Sequence, residues 1–124
     1  MLLEDAATWE GRSTTPREAR ALVEQVMTRG GHDKFVGSAV LLTSEVVTNA
    51  VEHAGGPVTV RAQCDDHVLR VEVSDAGSGV PQRTVVHEGA VSGRGMHLLD
   101  ALATRWSTRP VVGGKVVWFE LALT

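Results

Sequence analysis

Ser44-Glu45-Val46-Val47-Thr48-Asn49-Ala50-Val51-Glu52-His53-Ala54 is the stretch on which the fold turns. Glu45 and Asn49 are four residues apart, so on a helix they stand one turn above each other on a single face. Val36, Ala39, Val40, Thr43, Val47, Ala50 and Ala54 recur at helical spacing and form the inward stripe of that helix. Asp33 is placed to cap it, and the helix is expected to run to about His53. Glu45, Asn49 and either Glu52 or His53 lie along an adjacent stripe. Gly55-Gly56-Pro57 then stops the helix and leads into strands.

Downstream, Val58 to Cys64 alternates, Asp65-Asp66 marks a tight turn, and Val68 to Asp75 alternates again. Leu69, Val71, Val73 and Asp75 point the same way. A carboxylate on a buried face is costly unless paired, which makes Asp75 the most informative residue of the chain. It opens Asp75-Ala76-Gly77-Ser78-Gly79, where glycines permit backbone angles and close approach that side chains block. Residues 77–92 keep no steady period and carry Pro81, Gly89 and Ser92. They read as a loop long enough to act as a lid over a ligand. Gly93-Arg94-Gly95-Met96-His97-Leu98-Leu99 opens a further apolar helix, expected from about Arg94 to Ala103, and a helix start suits an anion.

Around this centre the remaining elements are scaffold. A short edge strand is expected near Thr8 to Gly11, anchored by Trp9. Thr15-Pro16-Arg17-Glu18 reads as a helix start, with Thr15 as cap, Pro16 at the first helical position and Glu18 completing a capping box. Ala19, Leu22, Val23 and Val26 continue that helix to about Met27. A strand from Arg105 to Arg109, a turn from Pro110 to Gly114 and a strand from Lys115 to Leu123 close the chain.

With 124 residues the chain has room for one core and not two. A net charge of -3 argues against a nucleic-acid module, which should carry a basic surplus. Aromatic residues make up 4%, so the core is expected to be aliphatic. The single cysteine, Cys64, has no partner for an internal disulfide and fits a reducing compartment as a buried thiol. No run approaches the ~20 apolar residues of a membrane span. Met1 to Glu10 carries acids where a signal peptide needs a basic start, so the expected location is cytoplasmic.

The acid and amide on one helix, the carboxylate before Gly77-Ser78-Gly79 and the glycine-rich start at Gly93 follow one another in a set order. In that order they resemble the N, G1 and G2 boxes of the histidine-kinase-like ATPases, the superfamily of gyrase, MutL and the sensor kinases. The run Glu45-x-x-Thr48-Asn49-Ala50-x-x-His53-Ala54 and the small size are most similar to its bacterial anti-sigma-factor serine kinase branch. The resemblance spans roughly Pro16 to the C-terminus. It implies an α+β fold, the two-layer α/β sandwich of the Bergerat ATP-binding fold. A mixed, mostly antiparallel sheet would carry about three helices on one face.

The same resemblance implies roles for particular residues. Asp75 would accept a hydrogen bond from the exocyclic amine of adenine; guanine offers a carbonyl there. The plainer reading is an aspartate capping its own turn. Gly77 and Gly79 would floor the purine, or form an ordinary turn. Asn49 offers a hard oxygen suited to Mg²⁺, which takes its remaining ligands from water and phosphates; otherwise it is a surface asparagine. Glu45 would be the general base, or a solvated acid. His53 would shape the pocket or only the helix end. Gly93, Arg94 and Gly95 would present backbone N–H groups and one planar guanidinium to the phosphates, with Met96 also at the nucleotide site, against a glycine hinge beside a surface arginine. One departure stands out: the branch usually has Gly-Gly-Lys-Thr near the final strand. This chain has Gly113-Gly114-Lys115-Val116 and so lacks a hydroxyl expected near the adenine.

Two functions fit. The first is a serine/threonine protein kinase that binds ATP and Mg²⁺ and phosphorylates a STAS-domain anti-sigma-factor antagonist. It would also sequester a sigma factor, and a homodimer is common in such proteins. The second is a nucleotide-gated, protein-binding regulatory module without turnover. A complete sensor histidine kinase is disfavoured, since 124 residues leave no room for the phosphoacceptor helix pair.

Overall fold

The hairpin of Val58–Cys64 and Val68–Asp75 lies at the middle of the sheet, and its inner face is the floor of the core. A computed structural model describes residues 2–76 and 91–124, with the side chains of 54 and 91–96 outside the description. In chain order the elements are β1 (Leu3–Trp9), α1 (Thr15–Arg29), a 3-10 turn (Asp33–Phe35) and α2 (Val36–Ala54). β2 (Val58–Cys64), β3 (Val68–Asp75), α3 (Val91–Leu102), β4 (Arg105–Val111) and β5 (Gly114–Ala122) follow. The strands form one sheet in the order β1-β2-β3-β5-β4, and every pairing among the described residues is antiparallel.

Alternation decides which side each strand residue takes. Leu69, Val71 and Val73 of β3 pair across to Leu121, Phe119 and Val117 of β5, and all six are buried. Val60 and Ala62 of β2 extend the same surface. Onto it α1 lays Ala19, Leu22, Val23, Val26 and Met27, α2 lays Leu42, Val46, Val47 and Ala50, and α3 adds Leu99. All three helices therefore cover one face. Each large side chain buried here contributes about 1.5–3 kcal/mol of hydrophobic transfer. The opposite face is polar. There the Arg70 guanidinium lies 4.1 Å from the Trp118 ring, and Glu120 accepts from Arg70 at 3.0 Å and from Arg105 at 2.9 Å.

Several local expectations shift. The N-terminal strand is Leu3–Trp9, longer than the short edge expected near Thr8, because its alternating residues pair along the whole of β2. Thr14, not Thr15, precedes α1, and no side chain caps the helix. Thr15 is the first helical residue and is buried; its Oγ1 accepts from the Arg12 N–H at 2.9 Å, so the anticipated capping box does not form. Asp33 begins a 3-10 turn and does not cap α2. The buried stripe of α2 includes Leu42 and Val46, while Val36 and Val40 are half-buried, because α2 also lies against α1 and α3. Gly55 ends α2 in the left-handed region at φ 72°, where a β-carbon would be strained. β4 continues through Pro110 to Val111, which its edge position permits, since among the described residues only β5 pairs with it.

Candidate functional site

Asp75 ends β3 on the core side of the sheet, and its side chain is 1% exposed. Lys115 is its register partner on β5 and shares that side. The Lys115 ammonium donates to Asp75 Oδ2 at 2.7 Å, from a side chain 17% exposed. The anticipated costly carboxylate is thus buried and paired. Removing two charges from water is expensive, so their mutual attraction and further hydrogen bonds must offset the desolvation.

The backbone fixes this pair. Gly114, also buried, sits against the end of β3, and a β-carbon there would stand 1.8 Å from the Asp75 carbonyl oxygen. Only glycine lets the β4–β5 turn approach so closely. On its other side Asp75 is opposite Val58, the first residue of β2. Because α2 ends at Ala54, just before β2 begins, its C-terminal turns lead to the same end of the sheet as Asp75. α2 itself lies against β3 and α3.

Glu45 and Asn49 are both half-buried on α2, on the border between its core stripe and solvent. Arg20 of α1 braces that turn, donating from Nη1 to Ser44 Oγ at 2.9 Å, one residue before Glu45. His53 and Glu52 stand exposed in the last turn of α2. Gly77 and Gly79, and the lid expected over residues 77–92 except its last two positions, lie outside the described residues. Helix α3 begins at Val91, three residues earlier than expected, so Gly93, expected just before the helix, joins Arg94, Gly95 and Met96 inside its first two turns. Among the described residues no three His, Cys, Asp or Glu side chains stand together as a metal cluster. A divalent cation at Asn49 would therefore draw most of its ligands from phosphate oxygens and water.

Val116 is not where the missing hydroxyl was expected. It pairs with Ser74, one residue out of phase with Asp75, and successive strand residues point to opposite faces. The residue beside Asp75 is Lys115. Sequence reasoning passed over it, although Lys115, Val117, Phe119 and Leu121 alternate and place the ammonium in line with buried apolar side chains.

Two titrating groups lie at the far end of the hairpin. Burial pushes the Cys64 thiol above its usual range, with the charges of Asp65 and Asp66 adding to the effect. Backbone N–H groups of His67 and Val68 donate to Asp65 Oδ1 at 2.8 and 2.9 Å and hold that carboxyl below its usual range. Cys64 pairs with Leu69 whereas Val58 pairs with Asp75, so this chemistry is remote from the Asp75 end.

Solved structures share the fold. The blue-light activated histidine kinase of Erythrobacter litoralis EL346 is 30% identical, with a TM-score of 0.58 over 73% of this chain and 31% of its own. The histidine kinase domain of the same protein superposes with a TM-score of 0.57 at 22% identity, over 85% of this chain and 61% of that one. The catalytic domain of histidine kinase ThkA, in a nucleotide-free form, is 17% identical and covers 97% of both chains with a TM-score of 0.57. The chain thus spans about a third of the length of that blue-light kinase chain. No curated protein matches it by sequence. A family model described as the histidine kinase-like ATPase domain matches residues 10–121, from the end of β1 to the last strand, and takes in every element that positions Asp75 and α2. The chain therefore belongs to the histidine kinase-like ATPase domain family, a family of ATP-binding, kinase-like domains.

Proposed function

We propose that the chain is an anti-sigma-factor-type protein kinase. It would use ATP and Mg²⁺ to phosphorylate a serine or threonine hydroxyl of a STAS-domain antagonist, and would hold a sigma factor when the antagonist is modified. The observation that carries the reading is the buried Asp75 at the end of β3, on the side of the sheet covered by the helix that bears Glu45 and Asn49.

Each residue then has a task its chemistry suits. Asp75 accepts from the adenine amine, a choice that disfavours guanine. Asn49 supplies one oxygen to Mg²⁺, and the cation neutralises charge on the phosphates when bound. The substrate hydroxyl oxygen bonds to the γ-phosphorus, the bond to ADP breaks, and Glu45 takes the hydroxyl proton. With α3 starting at Val91, the N–H groups free for phosphate are those of its first four residues, Gly93 and Arg94 among them, while Gly95 and Met96 follow within the helix and Gly95 permits close approach. Gly77 and Gly79 would lie under the purine, and His53 would border the pocket at the end of α2. In this reading the protein works in the cytoplasm, as a monomer or homodimer, without touching nucleic acid.

The test is incubation of the full chain with γ-labelled ATP, Mg²⁺ and a STAS-domain antagonist. Label should move to the antagonist and should be lost with Glu45→Ala. A stable complex with no transfer would remove the kinase part. One observation favours the alternative of a nucleotide-gated binding module without turnover: Asp75 already holds an ammonium from Lys115. Under that alternative Glu45→Ala leaves partner binding and its nucleotide dependence intact.

A further inference from the structure

We infer that Lys115 is an internal counter-ion seated on the purine-recognition carboxylate, so that nucleotide binding trades part of the Lys115–Asp75 pair for the adenine amine. Lys115 thereby becomes the residue that sets the affinity of the pocket. This inference rests on the assignment of Asp75 to adenine.

Three observations carry it. The pair is short, with Lys115 Nζ 2.7 Å from Asp75 Oδ2, and the carboxylate side chain is 1% exposed. It is also locked from behind, since the Asp75↔Lys115 register and the close seat of Gly114 against the Asp75 carbonyl keep the two α-carbons opposed. Lysine cannot drift off with its strand; only its side chain can leave. That side chain keeps 17% exposure, and a four-carbon stem lets the ammonium swing toward water.

An ammonium and an exocyclic amine want the same thing from Asp75. Both are donors only, and the carboxylate is acceptor only. The ammonium holds Oδ2 and partly neutralises the carboxylate, so the purine amine meets a weaker acceptor and each donor weakens the other. A buried ion pair of this kind is weak evidence for stability, because apolar residues of similar volume often serve as well. Its presence at the one carboxylate assigned to the base points to regulation of occupancy. Protein or solvent groups that draw Lys115 away would strengthen nucleotide binding, and groups that press it onto Asp75 would weaken it.

The experiment compares wild type with Lys115→Met and Lys115→Arg. Calorimetric titrations use Mg²⁺-ATP and, separately, adenosine, which has the base without the phosphates. Thermal unfolding is followed with and without ATP. Lys115→Met should tighten both ligands on the order of tenfold, the range of one hydrogen bond to a charged group. It should unfold at a lower temperature than wild type without ligand, and ATP should raise its Tm by more than it raises that of wild type. Lys115→Arg keeps the charge and adds a fork that grips carboxylate bidentately, so it should bind both ligands more weakly than wild type. This prediction stands even if Lys115→Met fails to fold. Wild type that binds ATP while Lys115→Met binds it equally or less tightly would overturn the role of Lys115 and leave the ATP reading standing. Loss of ATP affinity with unchanged adenosine affinity would make Lys115 a phosphate ligand, against this inference. If neither wild type nor either variant binds ATP or adenosine, both readings fall together.

Discussion

Gly114→Ala should be among the most damaging small changes in this protein, although it adds one methyl group. The new β-carbon would lie 1.8 Å from the Asp75 carbonyl oxygen, 2.9 Å from its carbonyl carbon and 3.1 Å from the Ala76 α-carbon. All three neighbours are backbone, so no side-chain rotation relieves the contact. The start of β5 must move away from the end of β3 by more than 1 Å to bring the closest contact near 3 Å. Overpacking of this kind costs about 1–3 kcal/mol. The same movement stretches the 2.7 Å Lys115–Asp75 bond, and leaving a buried charge without its partner costs about 3–5 kcal/mol when complete. With the shift shared between the two, a total near 3 kcal/mol is expected, which for a chain of this size lowers Tm by about 10 °C. The assay is thermal unfolding by circular dichroism, with Gly37→Ala as the control. Gly37 is exposed in the first turn of α2 and an added β-carbon meets nothing within 4 Å, so that change should be neutral or gain about 0.5–1 kcal/mol. Gly114→Ala melting within about 2 °C of wild type would refute the close approach of the β4–β5 turn to Asp75.

Thr108 Oγ1 is buried and has no hydrogen-bond partner among the described residues. Thr108→Val should therefore raise stability by about 1 kcal/mol in urea denaturation, and a loss would show that the hydroxyl is in fact bonded. The raised thiol pKa of Cys64 means that its neutral form favours folding. That contribution is complete below the usual thiol range and is lost as pH rises through the higher folded value, so urea midpoints should fall in strongly alkaline buffer and fall less in Cys64→Ala. A thiol reagent should label Cys64 only as fast as the protein opens. Asp65 has the opposite sign: its lowered pKa contributes stability above the usual carboxylate range that disappears as pH falls through the folded value. Asp65→Ala should flatten the acid limb of the pH–stability curve, and an unchanged limb would contradict the two backbone hydrogen bonds.

Strict periodicity made the centre of the fold legible. The alternation of Val58–Cys64 and Val68–Asp75 located β2 and β3 and put Asp75 with Leu69, Val71 and Val73 on the buried side. The helical spacing in α2 placed Glu45 and Asn49 beside its core stripe, where both are half-buried. The order of glycine-bearing stretches pointed to the family that the match over residues 10–121 establishes. What the pattern hid came from tertiary contacts. Leu42 and Val46 are buried because α2 touches α1 and α3 as well as the sheet, which widens its apolar stripe beyond one face. An edge strand is expected from sequence only near Thr8 to Gly11; Leu3 and Ala7 join it because β2 supplies a ladder that pairs along the whole of Leu3–Trp9. Val116 was weighed by its place in a motif, whereas strand register decides the side, and register puts Lys115 beside Asp75. The alternation of Lys115 with Val117, Phe119 and Leu121 sets an ammonium on the apolar face, but which carboxylate it meets, 40 positions away, is fixed only by the strand register.

The central claim is that Asp75 is the adenine-binding carboxylate of an ATP pocket. Calorimetric titration of wild type and Asp75→Asn with ATP and with GTP, each with Mg²⁺, tests it most directly. Wild type should bind ATP more tightly than GTP, and Asp75→Asn should lose ATP affinity by about tenfold or more while keeping the far-ultraviolet dichroism of the fold. Equal affinity for ATP in folded wild type and folded Asp75→Asn would contradict the claim.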